Sequence, residues 1–189
     1  GRELVSLLLS HPQVNLVGVT SRSLCGQKVQ SSIPKLRGRA QDLTFTNPSI
    51  TELAENPDCD IFFLALPHGT SATYAIPLLE AGKKVIDLSA DFRLNSPEAY
   101  EEFYGTPHPS PDWLIKASYG LPEIHSLSWT KSSLIASPGC YPTSIIVPLF
   151  PILKDGLIEK NNIIANSLSG VSGAGRKATE KLLFCERNE

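Results

Sequence analysis

The sequence contains no methionine, no C-x-x-C pair of cysteines and no apolar run long enough to cross a bilayer. Because an initiator Met is missing, we expect residues upstream of Gly1 in the natural chain. The longest apolar runs are Ile61 to Leu66 and the proline-broken stretch Ile145 to Leu153. Both fall well short of the roughly 20 residues that a membrane helix needs. With no intact secretory signal visible either, the sequence predicts a soluble chain.

Neither sign of charge dominates, since 17 basic side chains stand against 19 acidic ones for a net charge of −2. A protein that binds the nucleic acid backbone needs a broad basic surface, so the composition argues against that partner. The apolar fraction of 41% and the charged fraction of 19% support a packed core and exclude an intrinsically disordered chain. The length of 189 residues corresponds to one domain, or to one domain and part of another.

The four cysteines lie far apart, at Cys25, Cys59, Cys140 and Cys185. This spacing suggests neither a zinc site nor a disulfide framework. We therefore expect a reducing compartment and no bound metal.

Apolar segments rich in β-branched residues predict strands, and helix signals between them predict crossovers. The strands are Val14–Thr20, Asp60–Leu66 and Lys84–Leu88, and the helices run from Asn47 or Ser49 to Glu55 and from Thr70 or Ser71 to Ala81. A further helix is predicted after Ser96, with Pro97 at its first position, and proline-rich turns are predicted from Thr106 to Asp112. The near-continuous apolar run at Asp60–Leu66 is typical of a strand buried on both faces. Short parallel strands joined by helices predict an α/β fold with an open, doubly wound, Rossmann-like sheet.

The character of the chain changes after a last predicted strand at Leu134–Ala136. A long apolar helix follows Cys140 and ends near Gly156, and an alternating segment at Asn162–Leu168 predicts another strand. We therefore predict a doubly wound, Rossmann-like domain at residues 1–139 and the beginning of an incomplete α+β domain at residues 140–189.

Cys140 lies in the segment Ser-Pro-Gly-Cys-Tyr-Pro-Thr, where a predicted strand gives way to a helix. The N-terminus of a helix carries unpaired N–H groups and a partial positive charge, which lower the pKa of a thiol and favour the nucleophilic thiolate. The alternative is a buried structural cysteine. Gly139 before it and the helix after it favour the nucleophile, whereas the other cysteines are interpreted as structural or surface thiols.

Polar side chains follow two of the predicted strands. His68 lies in Leu-Pro-His-Gly directly after Asp60–Leu66, at the sheet edge that receives ligands in doubly wound folds. The alternative is a Pro-Gly turn that carries a histidine by accident. Ser89, Asp91 and Arg93 follow the next strand and are expected at the same edge, although capping and salt bridging explain them almost as well.

Two further segments suggest anion binding. Thr20-Ser21-Arg22 closes the first predicted strand with hydroxyls and an arginine, which suit the 2′-phosphate of NADP better than the 2′-hydroxyl of NAD. The turn from Ser169 to Gly175 offers consecutive backbone N–H groups ahead of a predicted helix that starts with Arg176 and Lys177. Cations at a helix start call for an anionic partner, and the alternative is a structural glycine turn.

Five motifs in this order together resemble the N-acetyl-gamma-glutamyl-phosphate reductase family. They are Leu66-Pro-His-Gly69, Asp87-Leu-Ser-Ala-Asp-Phe-Arg93, Tyr119-Gly-Leu-Pro-Glu123, Ser137-Pro-Gly-Cys-Tyr-Pro-Thr143 and Ser169-Gly-Val-Ser-Gly-Ala-Gly-Arg-Lys177. In addition, Gly1-Arg-Glu-Leu-Val5 is similar to the end of the family's G-x-x-G-x-x-G turn, with Gly1 as its third glycine. The resemblance therefore implies that the first strand of the sheet is missing.

The resemblance implies NADPH-dependent reduction of N-acetyl-glutamyl 5-phosphate to the 5-semialdehyde in arginine biosynthesis, through a thioester on Cys140. It also implies a small-molecule substrate, a homo-oligomer when the chain is complete, and a cytoplasmic location, or an organellar one in a eukaryote. The family's acid/base histidine would lie beyond Glu189, so this chain by itself is expected to be inactive.

The resemblance also assigns roles to individual residues. The cofactor side comprises Gly1, Thr20, Ser21, Arg22, Pro67, His68, Ser172 and Gly173. The substrate and phosphate side comprises Arg93, Gly139, Ser169, Arg176 and Lys177. Three alternatives stay open: a reductase of amino-adipyl or aspartyl phosphate, a non-catalytic dinucleotide-binding module, and an unrelated cysteine hydrolase.

Overall fold

The computed structural model describes residues 1–40, 42–124 and 127–174. Two units divide the chain, Gly1–Pro138 and Gly139–Glu189. The first unit contains both parallel sheets, and the second begins with a long helix.

Strands and helices alternate along most of the first unit. Its strands are β1 (Val19–Thr20), β2 (Phe45–Thr46), β3 (Ile61–Leu64), β4 (Lys84–Asp87), β5 (Ser118–Tyr119) and β6 (Leu134–Ala136). Its helices are α1 (Arg2–Leu9), α2 (Val29–Ser32), α3 (Ile50–Glu55), α4 (Ser71–Glu80), α5 (Pro97–Tyr104) and α6 (Pro111–Lys116). Short 3₁₀ turns lie at Pro34–Leu36 and Leu127–Lys131.

All strand pairs in both sheets are parallel. One sheet has the order β1-β2 and the other the order β3-β4-β6-β5, so the predicted doubly wound architecture is confirmed. In the order 3-2-1-4-5-6 of such folds, the position between β1 and β3 belongs to the first strand. Among the described residues no strand occupies that position.

The register of the larger sheet aligns the carboxyl ends of its strands. Leu64 at the end of β3 lies opposite Asp87 at the end of β4, and Asp87 lies opposite Ala136 at the end of β6. Tyr119 at the end of β5 also lies opposite Ala136. The loops that follow these strands therefore start from one common edge of the sheet.

The helix boundaries follow capping chemistry that is legible in the sequence. Ser49 forms a capping box with Glu52 at the start of α3, as its hydroxyl accepts the Glu52 N–H and the Glu52 carboxylate accepts the Ser49 N–H. Ser96 caps α5, with Pro97 at the first helical position. Gly105 ends α5 at φ 72°, a left-handed conformation that favours glycine. These predicted helix starts are confirmed.

The core of the first unit consists of two apolar clusters. The larger one packs α4 against the four-stranded sheet and contains Leu64, Ala72, Ala75, Leu78, Leu79, Val85, Phe92, Tyr100, Leu114, Leu134 and Ala136. The smaller one lies between α1 and the β1-β2 sheet and contains Val5, Val29, Ile33, Leu36, Ala40 and Phe45.

In the second unit, α7 runs from Cys140 to Lys154 with Gly139 as its N-cap. It is followed by Gly156 at φ 68°, so the predicted long helix and its glycine end are confirmed. A 3₁₀ turn occupies Val171–Ala174.

Two strand predictions in the first unit were too long. Of Val14–Thr20 only Val19 and Thr20 form a strand, because residues 14–18 have no ladder partner among the described residues. The run at Asp60–Leu66 shortens to β3, and Ile61 is 45% exposed. The expectation that both faces are buried was wrong for Ile61, whereas Leu64 at the other end of β3 is 7% exposed.

The predicted strand at Asn162–Leu168 was wrong, since no part of it forms a strand and Ile164 and Leu168 are each 95% exposed. Alternation alone does not make a strand, which also needs a neighbour to complete its hydrogen bonds. Sequence reasoning also missed β2 and β5, because two-residue strands are too short to show a period. It missed α6 as well, which begins within a segment interpreted as proline-rich turns.

We predict that Leu78→Ala lowers the free energy of unfolding by about 2–5 kcal/mol, because Leu78 is 0% exposed and its truncation leaves a cavity beneath the sheet. Leu7→Ala is the matched control, since Leu7 is 68% exposed and the change should stay within about 0.5 kcal/mol. Urea unfolding of the complete protein measures both. Equal effects of the two changes would contradict the packing described for α4.

Candidate active site

The carboxyl edge of the four-stranded sheet brings together the loops that carry most of the predicted site residues of the first unit. His68 follows β3, and Ser89, Asp91 and Arg93 follow β4. In doubly wound folds this edge is where ligands bind.

Asp87 lies at the end of β4 with its side chain fully buried. Its carboxylate accepts hydrogen bonds from the Ser71 hydroxyl at 2.5 Å, the Ser89 hydroxyl at 2.7 Å and the Ser89 N–H at 3.0 Å. A buried carboxylate is tolerated when its lone pairs are satisfied in this way. Ser89, predicted at the ligand edge, is 7% exposed and serves this network. Ser89 thus has a structural role in a buried network, although it caps no helix and forms no salt bridge.

Asp91 is the second fully buried carboxylate of this edge. It accepts the N–H of Gly69 at 2.7 Å and the N–H of Ala72 at 3.0 Å, and its Oδ1 lies 2.8 Å from Nδ1 of His68. The N-cap residue of α4, Thr70, makes no side-chain cap of its own. Asp91 therefore caps α4 from a different loop and holds the turn that contains His68.

Aromatic rings pack against one side of the His68 side chain. The ring of Tyr104 lies 4.2 Å from that of His68, and Tyr100 lies 4.7 Å from Tyr104, centroid to centroid. The His68 side chain is still 42% exposed, so a ligand can reach the ring. The sequence predicted His68 at this edge, and the structure places it there.

His108 belongs to the same aromatic cluster, and sequence reasoning missed it. It is 4% exposed, and its ring packs edge-on against Tyr100 at 4.7 Å and Phe92 at 5.1 Å. Its Nδ1 accepts the N–H of Ser110 at 3.0 Å, so the neutral ring carries its proton on Nε2. Burial lowers the pKa of His108 below its ordinary 6.5, against opposing effects of Ser110 and Asp91.

The guanidinium of Arg93 joins two loops of the edge. Its Nε donates to the carbonyl of Ser137 at 2.8 Å, and its Nη2 donates to the carbonyl of Leu88 at 3.0 Å. No carboxylate among the described residues forms an ion pair with it. Its described partners are therefore backbone carbonyls, and it brings a positive charge to the carboxyl edge of the sheet.

At the end of β1 the predicted cofactor residues form a turn. The Ser21 N–H donates to Thr46 at 2.9 Å, and the Ser21 hydroxyl accepts the N–H of Leu24 at 3.3 Å. Arg22 is exposed and forms no ion pair in the part of the chain that the structure describes. The residue that follows Thr20 is therefore a serine and not an acidic residue, and the exposed guanidinium of Arg22 lies next to it in the chain.

The start of α1 lies next to the segment after β3. A Cβ built on Gly1 would lie 3.8 Å from the Cβ of Ala65. Pro67 belongs to the turn that follows, where its carbonyl accepts the N–H of Thr70 at 3.2 Å. Gly69 within that turn has φ 78°, which favours glycine.

In the second unit, Cys140 is the first residue of α7 and its thiol is exposed. The carbonyl of the N-cap residue Gly139 accepts both the N–H of Thr143 at 3.0 Å and its hydroxyl at 2.9 Å. The predicted position at a helix N-terminus is confirmed. Burial raises the pKa of the Cys59 thiol, which makes that cysteine a poor nucleophile.

The glycine-rich turn uses one of its N–H groups internally, because Gly173 donates to the carbonyl of Gly170 at 2.9 Å. That N–H is not free for an anion, which corrects part of the predicted anion nest. A Cβ on Gly173 would lie 2.5 Å from the Ser169 hydroxyl, so the Ser169 side chain would have to move to admit one. Ser172 is exposed in this turn, whereas Arg176, Lys177 and Cys185 lie outside the described residues.

No helix within 1–40, 42–124 and 127–174 is both long and apolar enough to cross a membrane. The same ranges contain no group of three His, Cys, Asp or Glu side chains placed to hold a metal ion.

The structure is thus a parallel, doubly wound sheet followed by a helix that begins at an exposed cysteine. The sequence matches one protein family along nearly the whole chain. The semialdehyde dehydrogenase NAD binding domain matches residues 1–131, and the semialdehyde dehydrogenase dimerisation domain matches residues 140–189. The chain therefore belongs to the semialdehyde dehydrogenase family.

Several curated proteins similar to this chain are N-acetyl-gamma-glutamyl-phosphate reductases. Those of Akkermansia muciniphila and Desulfotalea psychrophila are 48% and 49% identical over 100% of this chain. The resemblance read from the five motifs is thereby confirmed. The chain spans about half of these relatives, 54% of each.

Among solved structures, the aspartate semialdehyde dehydrogenase of Candida albicans, determined with NADP, superposes with a TM-score of 0.55. The superposition covers 82% of this chain and 43% of that one at 16% identity. At this identity the likeness concerns the fold alone.

We predict that His108 makes the protein less stable in acid. Below pH 6.5 the unfolded state takes up a proton on this ring, whereas the folded state resists it because its pKa is lowered. Stability that is present at neutral pH should therefore fall as the pH drops through that range. His108→Asn keeps an acceptor for the Ser110 N–H but does not titrate.

Urea unfolding at about pH 7.5 and about pH 5 measures the effect. The loss of stability between the two pH values should be smaller in the variant than in the parent. An equal loss in both proteins would show that His108 titrates normally in the folded state.

Proposed function

We propose that the complete protein catalyses the NADPH-dependent reduction of N-acetyl-glutamyl 5-phosphate to N-acetyl-glutamate 5-semialdehyde, with release of phosphate, in arginine biosynthesis. The observation that carries this proposal is the 48% identity over the entire chain to a reductase of that name. The exposed Cys140 at the first position of α7 supports it, since the reaction needs a nucleophilic thiol.

In the proposed reaction the Cys140 thiolate attacks the acyl carbon of the substrate. The new C–S bond forms as the bond to the phosphate oxygen breaks, so phosphate leaves and a thioester stays on the enzyme. NADPH, when bound, supplies the hydride that reduces this thioester. The C–S bond then breaks, which releases the semialdehyde and regenerates the thiolate. The partial positive charge at the start of α7 stabilises the thiolate at both ends of the cycle.

For the cofactor we propose contacts at three places in the first unit and one in the second. These are Gly1 at the start of α1, Thr20, Ser21 and Arg22 after β1, Pro67 and His68 after β3, and Ser172 with Gly173. The free Arg22 and the absence of an acidic residue at the end of β1 fit a 2′-phosphate, which supports NADP over NAD.

For the substrate and its phosphate we propose Arg93, Gly139, Ser169, Arg176 and Lys177. The guanidinium of Arg93 supports its part in this set, because it lies at the carboxyl edge of the sheet and bonds backbone carbonyls rather than a carboxylate. The match of residues 140–189 to a dimerisation domain supports a homo-oligomer of the complete chain. We further propose a cytoplasmic enzyme with a small-molecule substrate.

We predict that Cys140→Ala lowers kcat of the complete protein by more than about 10³-fold, because no other group replaces the acyl acceptor. Cys25→Ala is the matched control, since Cys25 is also an exposed free thiol and lies outside the proposed site. The assay follows phosphate-dependent reduction of NADP with N-acetyl-glutamate 5-semialdehyde.

Three outcomes would overturn parts of the proposal. If the wild type turns over only the aspartyl or amino-adipyl analogue, the substrate is wrong. If it binds NADPH but reduces none of these substrates, the protein is a dinucleotide-binding module. If it hydrolyses acyl substrates without NADPH, it is a cysteine hydrolase.

We predict that Arg22→Ala raises the KM for NADPH about tenfold and changes the KM for NADH less than about twofold, because only NADPH carries the 2′-phosphate. Arg37→Ala is the control, as Arg37 is another exposed arginine of the first unit. Steady-state kinetics with both cofactors measure the difference. Equal changes for NADPH and NADH would remove Arg22 from the 2′-phosphate site.

A further inference from the structure

The bonds of Asp91 determine which nitrogen of His68 carries a proton. A buried carboxylate only accepts hydrogen bonds, and Oδ1 lies 2.8 Å from Nδ1 of His68. Nδ1 must therefore be the protonated nitrogen. While the ring is neutral, Nε2 then holds a lone pair and acts as an acceptor.

The position of Asp91 is itself held firmly. Its two oxygens also accept the N–H groups of Gly69 and Ala72, so the carboxylate cannot turn away from the histidine without breaking backbone bonds. Tyr104, 4.2 Å from the His68 ring, limits the ring on another side. The tautomer and the orientation of His68 are thus both imposed by its surroundings.

Nε2 of His68 makes no hydrogen bond within the described part of the chain, and the side chain is 42% exposed at the ligand edge. A neutral acceptor in this place suits a hydroxyl donor better than a phosphate, which has only acceptor oxygens when ionised. The dinucleotide of the proposed function carries such donors on its ribose rings.

We propose that Asp91 is a positioning residue, which holds His68 in the Nδ1–H tautomer so that Nε2 accepts a hydrogen bond from a ribose hydroxyl of the bound dinucleotide. This inference rests on the proposed function for the identity of the ligand. It gives Asp91 a role beyond the cap of α4, because the same carboxylate sets the chemistry of a ligand-facing ring.

The first test is the tautomer itself, measured without any ligand. ¹⁵N NMR of the complete protein with labelled histidine distinguishes Nδ1–H from Nε2–H, and the His68 signals are assigned by their loss in His68→Ala. We expect the Nδ1–H pattern at a pH where the ring is neutral. An Nε2–H pattern would overturn the inference without any variant of Asp91.

The second test is a double-mutant cycle on NADPH affinity, followed by the fluorescence of the bound cofactor. Asp91→Ala and His68→Ala should each raise Kd by about tenfold, the worth of one hydrogen bond. In the His68→Ala background, Asp91→Ala should change Kd by less than about twofold. If Asp91 were only a helix cap, its change would weaken binding equally in both backgrounds, which would overturn the inference.

Asp87→Asn is the matched control, because Asp87 is an equally buried carboxylate of the same edge that bonds serines and not His68. It should leave the Nδ1–H tautomer of His68 unchanged, and any change it makes in the NADPH Kd should be the same in the parent and in the His68→Ala background. If the wild type bound no NADPH at all, the proposed function would fail together with the ligand assigned to Nε2. An unchanged Kd in Asp91→Ala, with NADPH bound normally, would overturn the positioning role alone.

Discussion

The shared register at the carboxyl ends of β3, β4, β5 and β6 is the constraint on which the rest of the site depends. Because these strands are parallel and end side by side, loops that are distant in sequence start from one edge. Helical crossovers such as α4 make the parallel pairing possible. The polar residues that follow these four strands therefore lie at the same edge of the sheet, however far apart they are in the sequence.

Two buried carboxylates form the hydrogen bonds that hold the loops of this edge in place. Asp87 and Asp91 are each fully buried, so each must find donors or cost the fold several kcal/mol. Asp87 finds them in two serines, and Asp91 finds them in the start of α4 and in His68. Ser89 lies in the same loop as Asp87, whereas Ser71 and all the donors to Asp91 lie in the segment after β3 or at the start of α4. The hydrogen bonds of Asp91 therefore connect the loop after β3 to the loop after β4 and orient the exposed His68.

Sequence reasoning succeeded where structure follows from neighbours in the chain. The capping box at Ser49, the serine and proline before α5 and the glycine after α7 act within one helical turn, so their patterns predict helix ends correctly. Sequence reasoning failed where the hydrogen-bond partners of a segment determine whether that segment forms a strand. Residues 14–18 and 162–168 have the sequence pattern of strands but no hydrogen-bonding neighbour among the described residues.

The sequence by itself determined the class of fold, the family and the helix that begins at Cys140, because periodicity, capping and motif order are all local properties. The tertiary structure alone decided which polar residues meet. It assigned Ser89 to a buried network, paired Asp91 with His68, and placed His108 in an apolar ring cluster where its pKa falls. Burial and hydrogen-bond partners arise from segments far apart in the chain, so no pattern within a single segment encodes them.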